Sequence, residues 1–370
     1  MTAKDLVGNH IETLKPYVPG KPIEELKREL GVENPIKLAS NENPLGPSPR
    51  AMAAIEAALP DLHIYPDGAA HHMVGAVSEY HDVTPQEVIN GNGSDELLTI
   101  AVRTFCEFGQ DSAVISKHSF AAYGIRCQSH NLNIKWVATD EGLKYDLQAM
   151  AEAIDETTKI TFIANPNNPT GTYVNADELR RFLKAIPDHV VVLVDEAYHD
   201  YVEADDYASA LEMRDIHERL IVTRTLSKCY GMAGARIGYG IANEEIINRM
   251  NRVREPFNSN SLAQVALSEA LADREFVERS VAVNREGRAV LESGLADLGL
   301  EWIPSQTNFL LVKMPVDGRQ IYDAMLRKGV ILRPMAGYGL PKWLRISLAE
   351  REKMERCVDS LREVLTEVAS

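Results

Sequence analysis

Polar residues with reactive or ion-binding side chains follow several short apolar stretches of the sequence. Lys228 follows LIVTRTLS, Asp195 follows VVVLV, and Asn168 lies in the turn NPNNPTG after KITFIA. A glycine-rich turn, GNGSDELL, opens a predicted helix. An amine buried at the end of a strand loses proton affinity and can form a Schiff base with an aldehyde. A carboxylate, an amide and an anion-binding helix end complete a set of groups that suits a phosphorylated aldehyde.

These groups match the requirements of pyridoxal phosphate as a cofactor. A carboxylate such as Asp195 keeps the ring nitrogen protonated, so that the ring acts as an electron sink. Asn168 and Tyr198 are both able to reach the phenolic oxygen. Each residue alone has an ordinary explanation, since the lysine could lie on the surface, the aspartate could cap a helix and the asparagine could stabilise its own turn. Their combination favours the cofactor.

The phosphate of such a cofactor needs backbone N–H donors and a cation. The start of the helix after the turn GNGS offers free N–H groups and the positive end of the helix dipole. Nearby hydroxyl groups and one arginine can add hydrogen bonds and a permanent charge. The predicted phosphate-binding residues are Gly93, Ser94, Asp95, Thr225, Ser227 and Arg236. The turn is not a dinucleotide-binding fingerprint, because Glu96 occupies its third glycine position.

The elements that must position these residues alternate between strand and helix patterns from residue 86 to 242. The predicted strands are EVIN, SAVIS, NIKWVA, KITFIA, VVVLV, LIVTR and RIGYGIA. Apolar strands separated by amphipathic helices predict an α/β fold with a mainly parallel seven-stranded sheet flanked by helices. Ligands of such sheets bind outside the carboxyl ends of the strands, where the polar residues occur.

Composition divides the chain into three predicted parts. Residues 1–50 are rich in proline and glycine, and residues 1–32 form the predicted N-terminal arm, with a short helix in EELKREL. Residues 33–255 form the predicted large cofactor-binding domain. Residues 256–370 contain one long helical stretch and three predicted strands, TNFLLVKM, GVILRPM and WLRISL, which indicate a smaller α+β C-terminal domain.

The overall charge and the terminal sequence exclude some classes of partner. Lysine and arginine number 39 against 54 acidic residues, and the net charge of −15 disfavours nucleic acid. No secretory signal or membrane segment is expected, because the N-terminus lacks the signal pattern and apolar runs are short. The four cysteines are widely separated, so we expect no metal site and a cytoplasmic protein with reduced thiols.

Taken in order, the motifs KLASNENPLGPSP, YPDG, GNGSDELL, NPNNPTG, DEAY, TLSK and the later LR pairs make the chain resemble a known family. It resembles the fold type I pyridoxal-phosphate aminotransferases over nearly its whole length, and most closely the histidinol-phosphate aminotransferase family. The resemblance implies that Lys228 forms the Schiff base and moves a proton during transamination. It also implies that Asp195 pairs with the ring nitrogen while Asn168 and Tyr198 contact the phenolic oxygen.

Further site residues follow from this resemblance alone. Phe120 matches the aromatic residue that stacks on the cofactor ring. Tyr65 matches the residue that reaches the phosphate from a partner subunit, which implies a homodimer with shared active sites. Arg345 matches the arginine that binds a substrate carboxylate, and Arg333 matches a second arginine for a substrate anion. The other predicted substrate-binding residues are Tyr17, Asn43 and Asn308.

The leading interpretation is transfer of an amino group between histidinol phosphate and 2-oxoglutarate. Three alternatives stay open: an aromatic amino-acid aminotransferase, a pyridoxal-phosphate lyase or decarboxylase, and a non-catalytic regulator that binds the cofactor. The sequence departs from the family pattern at AAHHMVGAV after YPDG and at SLAEREKMER after the strand WLRIS. Both departures concern substrate choice and the subunit interface, and they leave the predicted cofactor residues unchanged.

Overall fold

The computed structural model describes residues 6–369, and the first elements of the chain are short. They are the helices α1 (Asn9–Glu12) and α2 (Ile23–Leu30), the strand β1 (Ile36–Lys37), and the helices α3 (Pro49–Ala58) and α4 (His71–His81). The predicted helix in EELKREL is confirmed by α2. Helix α3 begins where it does because the Ser48 hydroxyl accepts the Ala51 N–H and Pro49 occupies the first turn.

The centre of the molecule is the predicted seven-stranded sheet. Its strands are β2 (Val88–Asn92), β3 (Ser112–Ser116), β4 (Asn133–Val137), β5 (Thr158–Ala164), β6 (Val191–Asp195), β7 (Leu220–Thr225) and β8 (Ile237–Ile241). The flanking helices are α5 (Ser94–Phe105), α6 (Ala121–Ser129), α7 (Leu147–Glu152), α8 (Ala176–Ala185) and α9 (Glu244–Asn251). The strand order is β2-β8-β7-β6-β5-β3-β4, and β8 alone runs antiparallel to its neighbours. The predicted α/β class and mainly parallel sheet are confirmed.

Helices cover both faces of this sheet, which explains why its inner strands β5 and β6 read as nearly continuous apolar runs. Phe162 and Leu193 pack on one face against α5, α6 and α9. Ile163 and Val192, their neighbours in sequence, pack on the opposite face against α7 and α8. Because successive side chains of a strand point to opposite faces, β5 and β6 each contribute to two hydrophobic cores.

The C-terminal part combines helices with a small antiparallel sheet. Its elements are α10 (Ser261–Ala272), α11 (Arg274–Asp297), β9 (Glu301–Ile303), β10 (Phe309–Lys313), α12 (Gly318–Arg327), β11 (Val330–Ile331), β12 (Arg333–Pro334), β13 (Trp343–Ser347) and α13 (Arg351–Ala369). The sheet order is β12-β13-β10-β9. The predicted long helical stretch consists of two helices, because Asp273 ends α10 and caps α11 through the Phe276 N–H.

Two strand predictions in this region also need correction. GVILRPM is two strands rather than one, since β11 pairs with β1 while β12 pairs with β13. Strand β9 was not predicted at all. Within residues 6–369 no helix combines the length and the apolar character that crossing a bilayer requires.

Hydrophobic packing crosses the predicted domain limits. Leu26 of α2 and Leu38 belong to the core formed by β10, α12 and α13. Helix α10 instead packs on α3 and α4, which lie early in the chain. The division into residues 1–32, 33–255 and 256–370 stays a prediction. The N-terminal segment that contains α2 and β1 nevertheless shares a core with the C-terminal sheet.

Candidate active site

A cavity of about 470 Å³ lies at the carboxyl edge of the seven-stranded sheet. The parallel strands β5, β6 and β7 end at its floor with Ala164, Asp195 and Thr225. Because β8 runs the opposite way, Arg236 just before this strand reaches the same edge. The predicted site residues that line the cavity are Tyr17, Ser94, Asp95, Phe120, Asn168, Asp195, Tyr198, Thr225, Ser227, Lys228, Arg236 and Arg345.

Lys228 places its amine inside this cavity rather than on the outer surface. The side chain is half-buried, and the Nζ atom lies 5.7 Å from the centroid of the Tyr198 ring. Burial, together with the positive charge of Arg345, lowers the pKa of the Lys228 amine to about 8. A useful fraction of the amine is therefore neutral near neutral pH, as nucleophilic attack on an aldehyde requires.

Asp195 is a buried carboxylate at the floor of the cavity, with only 5% of the residue exposed. The Tyr123 hydroxyl donates to Oδ2 at 3.0 Å, and the Thr223 hydroxyl donates to Oδ1 at 3.3 Å. Burial raises the pKa of Asp195 to about 6, while these two hydrogen bonds hold it down. The carboxylate is consequently ionised at neutral pH and able to face a protonated ring nitrogen.

The start of α5 and the residues around Arg236 form an anion-binding corner. Gly93 has a φ of +74°, and a Cβ atom there would lie 2.6 Å from the Arg236 Nη2 atom. The glycine therefore lets the guanidinium approach the free N–H groups of the helix start. Arg236 Nη1 also lies 3.4 Å from the Ser227 hydroxyl, which accepts a 3.0 Å hydrogen bond from Thr225. Helix end, hydroxyls and guanidinium thus converge as phosphate binding requires.

Asp95 brings a negative charge to this corner, and the structure neutralises it. Its carboxylate forms an ion pair with Arg126 of α6, a cavity-lining residue that the sequence analysis did not identify. With the carboxylate paired, repulsion of a bound anion is reduced and the backbone N–H at the helix start stays available. Nothing in the helical stretch AYGIRC distinguished Arg126 from an ordinary surface arginine.

Arg345 and Asn168 both line the cavity and are hydrogen-bonded to each other. Arg345 is only 4% exposed, and its Nη1 donates to Asn168 Oδ1 at 2.5 Å. Its Nη2 donates to the Ala39 carbonyl at 2.9 Å, whereas its buried Nε has no partner within the described residues. Burial lowers the pKa of the Arg345 guanidinium, although an arginine keeps its charge. This arrangement provides a buried cation with unused donor capacity.

Aromatic residues form one side of the cavity. Phe120 stands immediately before α6 and meets the Tyr123 ring edge to face at 5.7 Å. Tyr123 in turn stacks on Phe162 with ring centroids 4.9 Å apart. Phe120 is thus supported from behind and is available to pack on a planar ligand. Tyr17 reaches the cavity from the N-terminal segment and is 48% exposed.

The structure does not bring Asn43 and Asn308 to the cavity surface. The Asn43 amide donates to the Cys229 carbonyl at 2.6 Å and to the Ser280 hydroxyl at 2.8 Å, so its polar atoms hold the chain together. The Asn308 amide donates to the carbonyl of Asn41 at 3.0 Å. Asn41, which the sequence analysis did not identify, lines the cavity in their place.

Arg333 and Tyr65 also lie away from the cavity of their own chain. The Arg333 guanidinium donates to the Val18 carbonyl and lies 5.3 Å from the centroid of the Tyr17 ring. Tyr65 is 80% exposed and stacks on Phe257 with centroids 4.9 Å apart. The predicted role of Tyr65 concerned a partner subunit, so a position outside its own cavity is compatible with it.

Comparison with known proteins agrees with this geometry. The family model described as aminotransferase class I and II matches residues 33–361. The histidinol-phosphate aminotransferase of Anaeromyxobacter sp. (strain Fw109-5) is 45% identical over 361 residues, which cover 97% of this chain and 99% of that protein. The corresponding protein of Halalkalibacterium halodurans is 44% identical over 354 residues, covering 96% of this chain and 95% of that protein.

Solved structures give the same result at lower sequence identity. The crystal structure of histidinol-phosphate aminotransferase from Sinorhizobium meliloti in complex with pyridoxal-5'-phosphate is 27% identical and has a TM-score of 0.88. The match covers 98% of both chains. The family match and the full-length relatives confirm the resemblance inferred from the motifs, and the chain belongs to the class I and II aminotransferases.

Proposed function

We propose that this enzyme transfers an amino group between histidinol phosphate and 2-oxoglutarate with pyridoxal phosphate as cofactor. The observation that carries the proposal is the Lys228 amine, which shares one cavity with the Asp195 carboxylate and the anion-binding corner at α5. Relatives named histidinol-phosphate aminotransferases, 42% to 45% identical over almost the full chain, support the choice of substrate.

The residues present fit the proposed cofactor. The amine suits its aldehyde, the buried carboxylate suits its ring nitrogen, and the corner at α5 suits its phosphate. When bound, pyridoxal phosphate supplies an aldehyde that condenses with amines and a ring that accepts the electrons of a breaking C–H bond. We assign the phosphate to Gly93, Ser94, Asp95, Thr225, Ser227 and Arg236, with Asp95 acting through its backbone N–H.

Other residues of the chain control protons and ring position. The neutral Lys228 amine accepts a proton from the substrate carbon and returns it to the cofactor side, since its pKa of about 8 permits both directions near neutral pH. Asp195 holds a proton on the ring nitrogen. Asn168 and Tyr198 contact the phenolic oxygen, and Phe120 packs on the ring face.

Substrate binding is assigned to the side of the cavity near Arg345. A planar guanidinium can hold the carboxylate of glutamate through two parallel hydrogen bonds, and the unpartnered Nε–H of Arg345 is free to donate one of them. Tyr17 closes the rim. Arg333 is proposed for the substrate phosphate, and since it is held by the segment of Tyr17, it acts there together with that segment. Asn43 and Asn308 support the wall from behind.

The experiment that tests this function is a half-reaction with the purified holoenzyme. Histidinol phosphate and glutamate should each convert the cofactor to its amine form, with loss of its visible absorption. Lys228→Ala should abolish both conversions, because no other amine lines the cavity within the described residues. Conversion by phenylalanine without conversion by histidinol phosphate would instead identify an aromatic amino-acid aminotransferase. Product formation without a keto acid would identify a lyase.

We also propose a homodimer in which Tyr65 of the partner subunit reaches the cofactor phosphate. Large apolar residues around Tyr65 are exposed, with Leu62 at 55%, Ile64 at 57% and Phe257 at 45%, and such clusters mark interfaces. A cytoplasmic location goes with this proposal, since all four cysteines are buried and free.

Shared active sites predict complementation between two inactive variants. Lys228→Ala and Tyr65→Ala affect different chains of one site, so mixed dimers contain one intact site and should regain activity. Lys228→Ala mixed with Asp195→Ala is the matched control, because both residues come from the same chain. Equal activity in the two mixtures would contradict the shared site.

A further inference from the structure

Asn41 is a buried cavity residue that its sequence context did not identify. It is 1% exposed, lines the cavity, and has a left-handed backbone with a φ of +54°. Asparagine is one of the few residues other than glycine that adopts this conformation readily. A buried polar residue persists in this conformation only where its surroundings hold it there, so its hydrogen bonds indicate its role.

The hydrogen bonds of Asn41 have a direction that can be worked out. Its backbone N–H donates to the Ser347 hydroxyl oxygen at 2.9 Å, so the Ser347 hydroxyl proton is free to be donated elsewhere. That proton goes to Asn41 Oδ1 at 2.9 Å. With Oδ1 facing Ser347, the Nδ2 group must face the opposite way, and it donates to the Tyr198 hydroxyl oxygen at 2.9 Å.

This direction determines where the Tyr198 proton points. The phenolic oxygen of Tyr198 already accepts the Asn41 amide, so its own proton must be donated to a different group. Within residues 6–369 no side chain or carbonyl accepts that proton, and Tyr198 is only 3% exposed and lines the cavity. We propose that Asn41 is a positioning residue that turns the Tyr198 hydroxyl proton toward the cofactor's phenolic oxygen. This inference rests on the proposed role of Tyr198.

The same segment is tied to the strand that carries Arg345. Ser347 lies two residues after Arg345 on β13, and Arg345 Nη2 donates to the carbonyl of Ala39 at 2.9 Å. Strand β13 therefore holds residues 39–41 at the Ala39 carbonyl and at Asn41, where Ser347 bonds the backbone N–H and the Oδ1 acceptor of the amide. Strand β13 thus sets the orientation of the Asn41 amide, and the Asn41 amide sets the orientation of the Tyr198 hydroxyl.

The test compares Asn41→Gly and Asn41→Asp. Glycine accepts a φ of +54° without strain, so Asn41→Gly removes the amide and leaves the backbone in place. Asn41→Asp keeps an acceptor for Ser347 but puts an oxygen beside Tyr198, which would then donate its proton to the new carboxylate. Thermal unfolding of each apoenzyme shows whether the fold is retained.

Two measurements report on the hydrogen bond of the Tyr198 hydroxyl to the cofactor and do not depend on catalytic turnover. One is the dissociation constant of pyridoxal phosphate from the apoenzyme, and the other is the pH midpoint of the visible absorption of the holoenzyme. The negative charge of the cofactor's phenolic oxygen stabilises the proton on the Schiff-base nitrogen of Lys228. A hydrogen bond from Tyr198 disperses this charge, so loss of that hydrogen bond should raise the pH midpoint of the visible absorption. We expect a rise of roughly half a pH unit or more and a cofactor affinity roughly three- to tenfold weaker, the size of one hydrogen bond.

The control is the same pair of measurements in a Tyr198→Phe background. If Asn41 acts through the hydroxyl, Asn41→Gly should add no further change there. Equal changes with and without the hydroxyl, or no change in a folded Asn41→Gly enzyme, would overturn the inference. An unchanged midpoint in Tyr198→Phe alone would remove the role of Tyr198 and overturn it as well. Coupled changes in an enzyme that fails to convert histidinol phosphate would refute only the proposed substrate.

Discussion

Replacement of Arg345 by lysine separates the positive charge of this residue from the shape of its guanidinium. The wild-type group donates to Asn168 at 2.5 Å and to the Ala39 carbonyl at 2.9 Å, and its buried Nε has no partner within the described residues. Lysine keeps the charge but has one nitrogen on a flexible stem. It cannot form two parallel hydrogen bonds with a carboxylate.

The expected loss follows from that difference. One hydrogen bond to a charged group contributes about 1.5–3 kcal/mol, which corresponds to a factor of roughly 10 to 150 at 25 °C. We therefore expect kcat/KM for glutamate in Arg345→Lys to fall by roughly 10- to 150-fold. The loss should occur mainly in KM, because the carboxylate is bound equally before and during the proton transfer.

The assay follows loss of the cofactor's visible absorption at increasing glutamate concentrations. Arg351→Lys is the matched control, since Arg351 lies in the same part of the chain and forms an exposed 2.8 Å ion pair with Glu286. Exposed pairs contribute little, so this variant should stay within about twofold of the wild type. A loss below threefold in Arg345→Lys, or equal losses in both variants, would refute the assignment of the carboxylate to Arg345.

Three further predictions concern titratable groups. Tyr123→Phe should raise the Asp195 pKa above its value of about 6, because it removes a hydrogen bond to the carboxylate. The acid limb of the half-reaction rate should then move up by about one pH unit. Tyr145→Phe is the control and should leave the acid limb unchanged, because the buried Tyr145 hydroxyl does not touch Asp195. Recombination of the apoenzyme with cofactor should accelerate with pH and level off above about pH 8, the Lys228 pKa, and a rate still rising at pH 10 would contradict this value. Burial lowers the His81 pKa from 6.5 to about 3, so the unfolded chain binds the proton first and stability falls as pH drops below 6.5. Urea unfolding at pH 7.5 and 5 should therefore show about 2 kcal/mol more loss in wild type than in His81→Gln, and equal losses would show that the histidine is not buried neutral.

The central sheet could be predicted because its inner strands β5 and β6 are buried on both faces and read as nearly unbroken apolar runs. The short strands of the C-terminal part could not. Strand β9 spans only Glu301–Ile303 and is held by pairing with β10. Strand β11 exists because it pairs with β1 near the other end of the chain. Such pairings depend on tertiary contacts and leave no local periodicity to recognise.

The candidate site shows the same division between local and tertiary information. Lys228 and Asp195 were predicted because they follow apolar strands, and the ends of parallel strands meet at one edge. Asn41 and Arg126 were missed because their positions depend on partners from other elements. The motif NENP contains both Asn41 and Asn43, and nothing in its sequence distinguishes Asn41, which lines the cavity, from Asn43, which does not.

The hydrogen bonds of Asn41 also bear on how the enzyme is made. Ser347 lies 306 positions after Asn41 in the chain, and Asn308 lies 267 positions after it. During synthesis the seven-stranded sheet is complete once Ile241 has emerged, so Lys228 and Asp195 can reach their places early. The contacts of Asn41 with Ser347 and Asn308 can form only after β13 has been synthesised and a very long loop has closed. In a nascent chain, Lys228 and Asp195 can therefore reach one edge of the sheet before the contacts of Asn41 that orient Tyr198 exist. Those contacts are among the last parts of the nascent enzyme to form.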